Sequence, residues 1–129
     1  MAVAEPEPLQ TILVADDDPD LVALVARRLT KAGYRVITAS DGEEVVQMAE
    51  KFLPQLCVLD VMMPKLTGIE VIEQLRSHPE TRDIRTVLIS AGSQHNVGFP
   101  GLLAGADDYI KKPFGPQELA NRVQAVLAR

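Results

Sequence analysis

Five short apolar runs separated by segments of helical period constrain this chain more than any other feature. Ile12-Leu13-Val14, Val36-Ile37-Thr38, Leu56 to Leu59, Thr86 to Ile89 and Tyr109-Ile110 have the length and β-branched content of buried strands. Between them, apolar residues recur every three or four positions. Leu21, Val22, Val25 and Leu29 share one face of a helix expected over Pro19 to Ala32, and Val45, Val46, Met48 and Ala49 follow a capping Asp41. Ile69, Val71, Ile72 and Leu75 form a third face, and Leu119, Val123 and Val126 a last one within Pro116 to Leu127. Strands joined through helices pair in parallel by right-handed crossovers and are covered on both faces. The chain is therefore expected to be α/β, a three-layer sandwich around a five-stranded parallel sheet.

Turn chemistry marks the joints. Asp18 is a natural cap with Pro19 at the first helical position, Gly33 ends that helix, Pro54 closes the second unit, and Gly115-Pro116 opens the last helix. Residues 1–10, with Glu5-Pro6-Glu7-Pro8, are expected to be a flexible leader or the end of a linker, and residues 11–129 a single domain.

Charge and cysteine content remove several function classes. A net charge of −5 with scattered Lys and Arg disfavours direct nucleic-acid binding. No apolar run approaches the ~20 residues of a membrane helix, and the first ten residues lack a signal-peptide pattern, so a cytoplasmic location is expected. Cys57 is the only cysteine and lies in an apolar run, which predicts a small buried side chain rather than a reactive thiol.

Ligands of open parallel sheets bind beyond the carboxyl ends of the strands. Four of the five strands deliver a polar residue to that edge: Asp16 and Asp17 after the first, Asp60 after the third, Ser90 after the fourth and Lys112 after the fifth. If the first and third strands are neighbours, three carboxylates converge, which like-charge repulsion opposes unless a cation is bound. Carboxylates, a backbone carbonyl and waters suit Mg²⁺, which also accepts phosphate oxygens. A metal, an ammonium and a hydroxyl around a carboxylate are the parts that phosphoryl transfer requires, with the carboxylate as nucleophile.

Four segments carry a family resemblance: Ile12-Leu13-Val14-Ala15-Asp16-Asp17, Leu59-Asp60-Val61-Met62-Met63-Pro64, Ile89-Ser90-Ala91, and Gly105-Ala106-Asp107-Asp108-Tyr109-Ile110-Lys111-Lys112-Pro113-Phe114. Over Thr11 to Leu127 the chain resembles the receiver domains of response regulators. The resemblance implies a flavodoxin-like, doubly wound sheet of order 2-1-3-4-5. It also implies that Asp60 accepts a phosphoryl group from a phosphohistidine of a sensor histidine kinase or histidine phosphotransfer domain, for onward signalling to a protein partner. Asp17, Asp60 and the Met62 carbonyl would hold Mg²⁺, with Asp16 acting through metal-bound water. Ser90 and Lys112 would contact the phosphoryl oxygens, Tyr109 would change rotamer with Ser90, and Lys112-Pro113 would be a cis bond. In this reading the chain is a signalling domain rather than an enzyme acting on a separate substrate.

Other residues read as structural. Asp18 and Asp20 fit a cap and a first-turn carboxylate, Lys111 is expected to be solvated, and His78 and His95 to lie on the surface. Asp107 and Asp108 are expected in a turn at the far edge of the sheet, and Gly68 to relieve the loop after Asp60 where it approaches the metal. Asn96 to Gly101 holds two glycines and a proline, so the helix preceding the fifth strand is expected to shrink to a turn or two around Leu102 to Ala104, behind a mobile loop in which Phe99 could dock a partner. Met62 and Gly92 offer no side chain to orient a hydrolytic water, which implies a long-lived phosphorylated form. Two further readings compete: a Mg²⁺-dependent aspartyl-phosphate hydrolase with Asp16 as nucleophile, and a docking module that is not phosphorylated. A flavin-binding protein of the same fold is disfavoured, because the acidic turn after the first strand would repel the cofactor phosphate.

Overall fold

In the computed structural model, residues 9–91 and 105–129 are described. The expectations for 92–104, including the shortened helix, the loop with Phe99, Gly92 and His95, and those for 1–8 lie outside the described residues. Nine elements follow in chain order: β1 (Thr11–Ala15), α1 (Pro19–Lys31), β2 (Arg35–Ala39), α2 (Gly42–Phe52), β3 (Leu56–Asp60), α3 (Gly68–Arg76), β4 (Arg85–Ser90), β5 (Asp108–Lys111) and α4 (Pro116–Leu127). The strands form one parallel sheet in the order β2-β1-β3-β4-β5. This is the flavodoxin-like topology expected.

The strands run past their apolar runs because ladder pairing, not apolarity, sets where a strand ends. Thr11 pairs with Arg35 and Ala15 with Ala39, while Asp60 pairs with Ile89 and Ser90 with Lys111. Alternation along each strand then divides the core in two. Leu13, Ala15, Cys57, Leu59 and Leu88 pack toward α2 and α3; Ile12, Val14, Val58, Val87 and Ile89 pack toward α1 and α4. Each of these leucine, isoleucine and valine side chains is essentially excluded from solvent, worth about 1.5–3 kcal/mol apiece against exposure. Burial pushes the Cys57 thiol up to about 12, against a smaller lowering by Arg76, so it stays protonated and inert.

The caps behave as their chemistry dictates. The Asp18 carboxylate accepts from the amides of Asp20 and Leu21, and Asp41 accepts from Glu44. Gly33 takes the left-handed φ of 102° just beyond α1. Three details differ from the sequence reading. Leu53, rather than Pro54, makes the turn out of α2, with φ 47° and its amide bonded to Ala49. Asp108 is not in a turn; it is the first residue of β5 and pairs with Arg122 at 3.2 Å. Gly68 starts α3 behind a capping box of Thr67 and Glu70, and what approaches it is the Asp60 backbone carbonyl, 2.5 Å from where a Cβ would stand. The demand for glycine there comes from packing of one backbone on another.

Among the described residues, no helix is long and apolar enough to cross a membrane.

Candidate functional site

The carboxyl ends of β1, β3, β4 and β5 meet at one edge of the sheet. Because β1 and β3 are neighbours, with Ala15 opposite Leu59, the residues that follow them converge. One carboxylate oxygen from each of Asp16, Asp17 and Asp60 lies within 4.8 Å of the others. Asp16 and Asp60 are buried, at 2% and 5% exposure, and Asp17 forms the exposed rim.

Lys112, one residue beyond β5, supplies the opposing charge. Its amide donates to the Ser90 carbonyl at 2.7 Å, continuing the β4–β5 ladder past the last paired residues. Its ammonium lies 3.0 Å from Asp16 Oδ2 and 3.4 Å from Asp60 Oδ2. Burial opposes the Lys112 charge, but the two carboxylates outweigh it and hold its pKa above the ordinary value. Lys111 faces solvent, and the Lys112-Pro113 peptide is cis.

The four oxygens of the buried pair are not equivalently held. Asp16 Oδ1 accepts from the Asp18 amide at 3.0 Å, and its Oδ2 has the shorter contact to Lys112. Asp60 Oδ1 accepts from the Met62 amide at 3.3 Å and its Oδ2 has the longer contact. Despite its shorter contact, Asp16 Oδ2 is buried without a hydrogen bond among the described residues, whereas Lys112 hydrogen-bonds Asp60. Burial, and then the charge of Asp16, push it up to about 6, while Lys112 and the Met62 amide pull it down.

Ser90 is fully buried at the end of β4, and its Oγ has no hydrogen-bond partner among the described residues. A buried hydroxyl without a partner is costly unless a ligand satisfies it. Met62 is exposed on the loop after Asp60, and Tyr109 is half-buried in β5 against the core on the α2–α3 side. His78 is exposed at the end of α3, as expected.

The donor set fits a hard divalent cation: three carboxylates carry one ammonium between them, on a rim open to solvent. Asp16, Asp17 and Asp60 could hold such an ion.

Two groups went unnoticed in the sequence. Arg76, in the last turn of α3, donates to the carbonyls of Arg82, Ile84 and Gly105 and pairs with Asp107 at 3.6 Å. Gly42, the first residue of α2, touches the loop after β3 so closely that a Cβ would stand 2.3 Å from the Leu66 carbonyl oxygen. Neither contact has a local signal, since each joins residues far apart in sequence.

The perturbed Asp60 gives a stability prediction. Its folded pKa lies above the unfolded value near 3.8, so the folded state binds the extra proton and stability falls as pH rises from about 4 to about 6. Asp60→Asn removes that loss. In metal-free buffer its stability relative to wild type is expected to open over this window and reach about 1–2 kcal/mol by pH 7, below the ~3 kcal/mol that the full rise would give because the site is open to solvent. Urea unfolding with chelator at pH 4, 5, 6 and 7 measures it; a constant difference would refute the assignment.

Comparison with known proteins agrees with this construction. A family model described as response regulator receiver domain matches residues 12–124. The alkaline phosphatase synthesis transcriptional regulatory protein PhoP of Bacillus subtilis is 48% identical over 118 residues, covering 92% of this chain and 48% of that protein. The chain thus spans about half the length of the curated relatives it matches. Among solved structures, the Francisella response regulator 1452 receiver domain superposes with a TM-score of 0.84 at 31% identity, covering 93% of this chain and 98% of that one. The receiver domain of the sensor histidine kinase PA1611 from Pseudomonas aeruginosa PAO1, with a magnesium ion coordinated in its active site cleft, gives a TM-score of 0.85 at 27% identity, covering 95% of this chain and 100% of that one. With the family model spanning most of its length and the sheet order, acidic cluster and lysine in place, this chain belongs to the response regulator receiver domain family.

Proposed function

We propose that this chain is a phosphoacceptor domain of a two-component or phosphorelay system, with Asp60 as the acceptor. The observation that carries the reading is the buried Asp60 carboxylate, set among Asp16 and Asp17 with the Lys112 ammonium at 3.4 Å. In the proposed step, an Asp60 oxygen attacks the phosphorus of a phosphohistidine on a histidine kinase or phosphotransfer domain. The new O–P bond forms as the P–N bond breaks, and the imidazole leaves with the electron pair. Lys112 is placed to pair with the developing phosphoryl charge, and the Ser90 hydroxyl, buried without a partner among the described residues, to donate to a phosphoryl oxygen.

Asp16, Asp17, Asp60 and the Met62 carbonyl are the proposed Mg²⁺ ligands, Asp16 through water; the bound ion would offset the clustered negative charge of carboxylates and phosphoryl group. Ser90 and Tyr109 are the proposed switch pair, through which a protein partner would sense the phosphorylated state. The longer relatives carry the word transcriptional in their names. An output of that kind would come from outside this chain, whose net charge of −5 does not suit it to nucleic acid.

Incubation with Mg²⁺ and acetyl phosphate, followed by intact mass and by borohydride reduction of the acyl phosphate, tests the proposal. A single phosphoryl group mapping to Asp60, and not acquired when a chelator replaces Mg²⁺, is expected. A label on Asp16 would replace this reading with the hydrolase one, and no label would leave the docking module.

A further inference from the structure

The loop from Val61 to Thr67 carries Met62, and it is fastened at three places. Val61 donates to the Ile89 carbonyl at 2.9 Å, Gly68 donates back to the Val61 carbonyl at 2.9 Å, and the Pro64 carbonyl accepts from both Leu66 at 2.8 Å and Gly42 at 3.2 Å. The first two fastenings belong to the sheet and to α3. The third comes from a different element, the start of α2.

Lys65 sits at the centre of that third fastening in an unexpected conformation. Its φ is 72°, in the left-handed region that an L side chain enters at a cost and that glycine or asparagine normally takes. Its ammonium lies 3.6 Å from Asp41 Oδ2 and 3.6 Å from Glu43 Oε2, in the cap and first turn of α2. Asp41 also caps that helix: the Glu44 amide holds its carboxyl below the ordinary value, burial works against this, and Lys65 adds a lesser lowering. A lysine that holds a strained backbone while its side chain spans to another element acts as a latch.

We propose that Lys65, through Asp41 and Glu43, is a positioning residue that ties the loop bearing Met62 to α2 and so raises the affinity of the acidic site for a divalent cation. The inference rests on the metal-site reading given above. Coulomb's law alone makes the opposite forecast, since removing a nearby positive charge should tighten cation binding. The sign of the effect therefore separates positioning from simple electrostatics.

Calorimetric titration of the metal-free full chain with MgCl₂ tests it. Lys65→Met is expected to weaken Mg²⁺ binding by about two- to fivefold, the range an exposed ion pair converts to, and Lys65→Arg to restore it. Lys65→Met is expected to add little in an Asp41→Asn background, where asparagine keeps the cap but loses the charge. The melting temperature of the metal-free Lys65→Met protein should stay close to wild type, which a merely structural role would not allow. Unchanged or tighter binding in Lys65→Met, with wild type binding Mg²⁺ normally, overturns the latch and leaves the metal site standing. Absence of Mg²⁺ binding by wild type overturns both.

Discussion

Asp60→Asn is expected to take up no phosphoryl group from acetyl phosphate in Mg²⁺, and Lys112→Met to take it up roughly 10²–10³-fold more slowly, the usual cost of removing one preorganised charge partner from a transition state. The two losses have different causes. An amide at position 60 retains the shape of the carboxylate but lacks a nucleophilic oxygen, so nothing replaces it. At position 112 the nucleophile survives, and what goes is the ammonium lying 3.0 Å from Asp16 and 3.4 Å from Asp60.

Lys112→Met should also move metal binding in the opposite direction. Without metal, this ammonium is the cation closest to the buried pair among the described residues, and removing it leaves Asp16 and Asp60 to repel one another. A divalent ion then relieves more repulsion when it binds. Slower phosphorylation with equal or tighter Mg²⁺ affinity is the expected signature, read by time-resolved intact mass alongside calorimetry. Equal loss of both would mean that Lys112 holds the fold of the site rather than the phosphoryl charge.

Gly42→Ala is expected to lower stability by about 3 kcal/mol and the melting temperature by roughly 10 °C. The added Cβ would stand 2.3 Å from the Leu66 carbonyl oxygen and 2.5 Å from the Leu66 Cβ. Neither neighbour is the far end of a flexible side chain, so relief requires α2 and the loop after β3 to separate. That motion would also stretch the bond from Gly42 to the Pro64 carbonyl. Gly115→Ala is the control: it caps α4 with φ −78° and nothing within 4 Å of its Cβ, and should change stability by less than about 1 kcal/mol. Thermal and urea unfolding of both variants check the contrast. Similar values for the two would show that the close approach at Gly42 relaxes at no cost.

Most of the architecture was legible because the information is local. A helix face is written by residues three and four apart, a cap by Asp18 or Asp41 and the amides just after it, and a buried strand by an uninterrupted run such as Leu56 to Leu59. Parallel pairing followed from the helices between the strands. The polar residues at the strand ends were equally readable, since a strand that stops in Asp, Ser or Lys delivers that side chain to its carboxyl edge.

Asp107, Asp108 and Gly68 show where such reading fails. An acidic pair beside a glycine looks like a turn, yet Asp107 accepts from the Thr86 amide at 2.8 Å and pairs with Arg76, while Asp108 enters β5 and pairs with Arg122. Gly68 looked like a relief for metal approach, and its neighbour is the Asp60 backbone. Each partner lies on another element, so the residue type announced a special environment without saying what filled it.

The sequence by itself determined the periods, the caps, the parallel sheet and the set of residues at its carboxyl edge, because these depend on neighbours within a few positions. Only the tertiary structure decided that Lys112 stands between Asp16 and Asp60, that burial and the charge of Asp16 raise the pKa of Asp60, and that the start of α2 grips the loop beyond β3. Those facts depend on strand register and on how closely one backbone can approach another. Shifts of an ångström there change a carboxylate's charge state, and no local pattern encodes them.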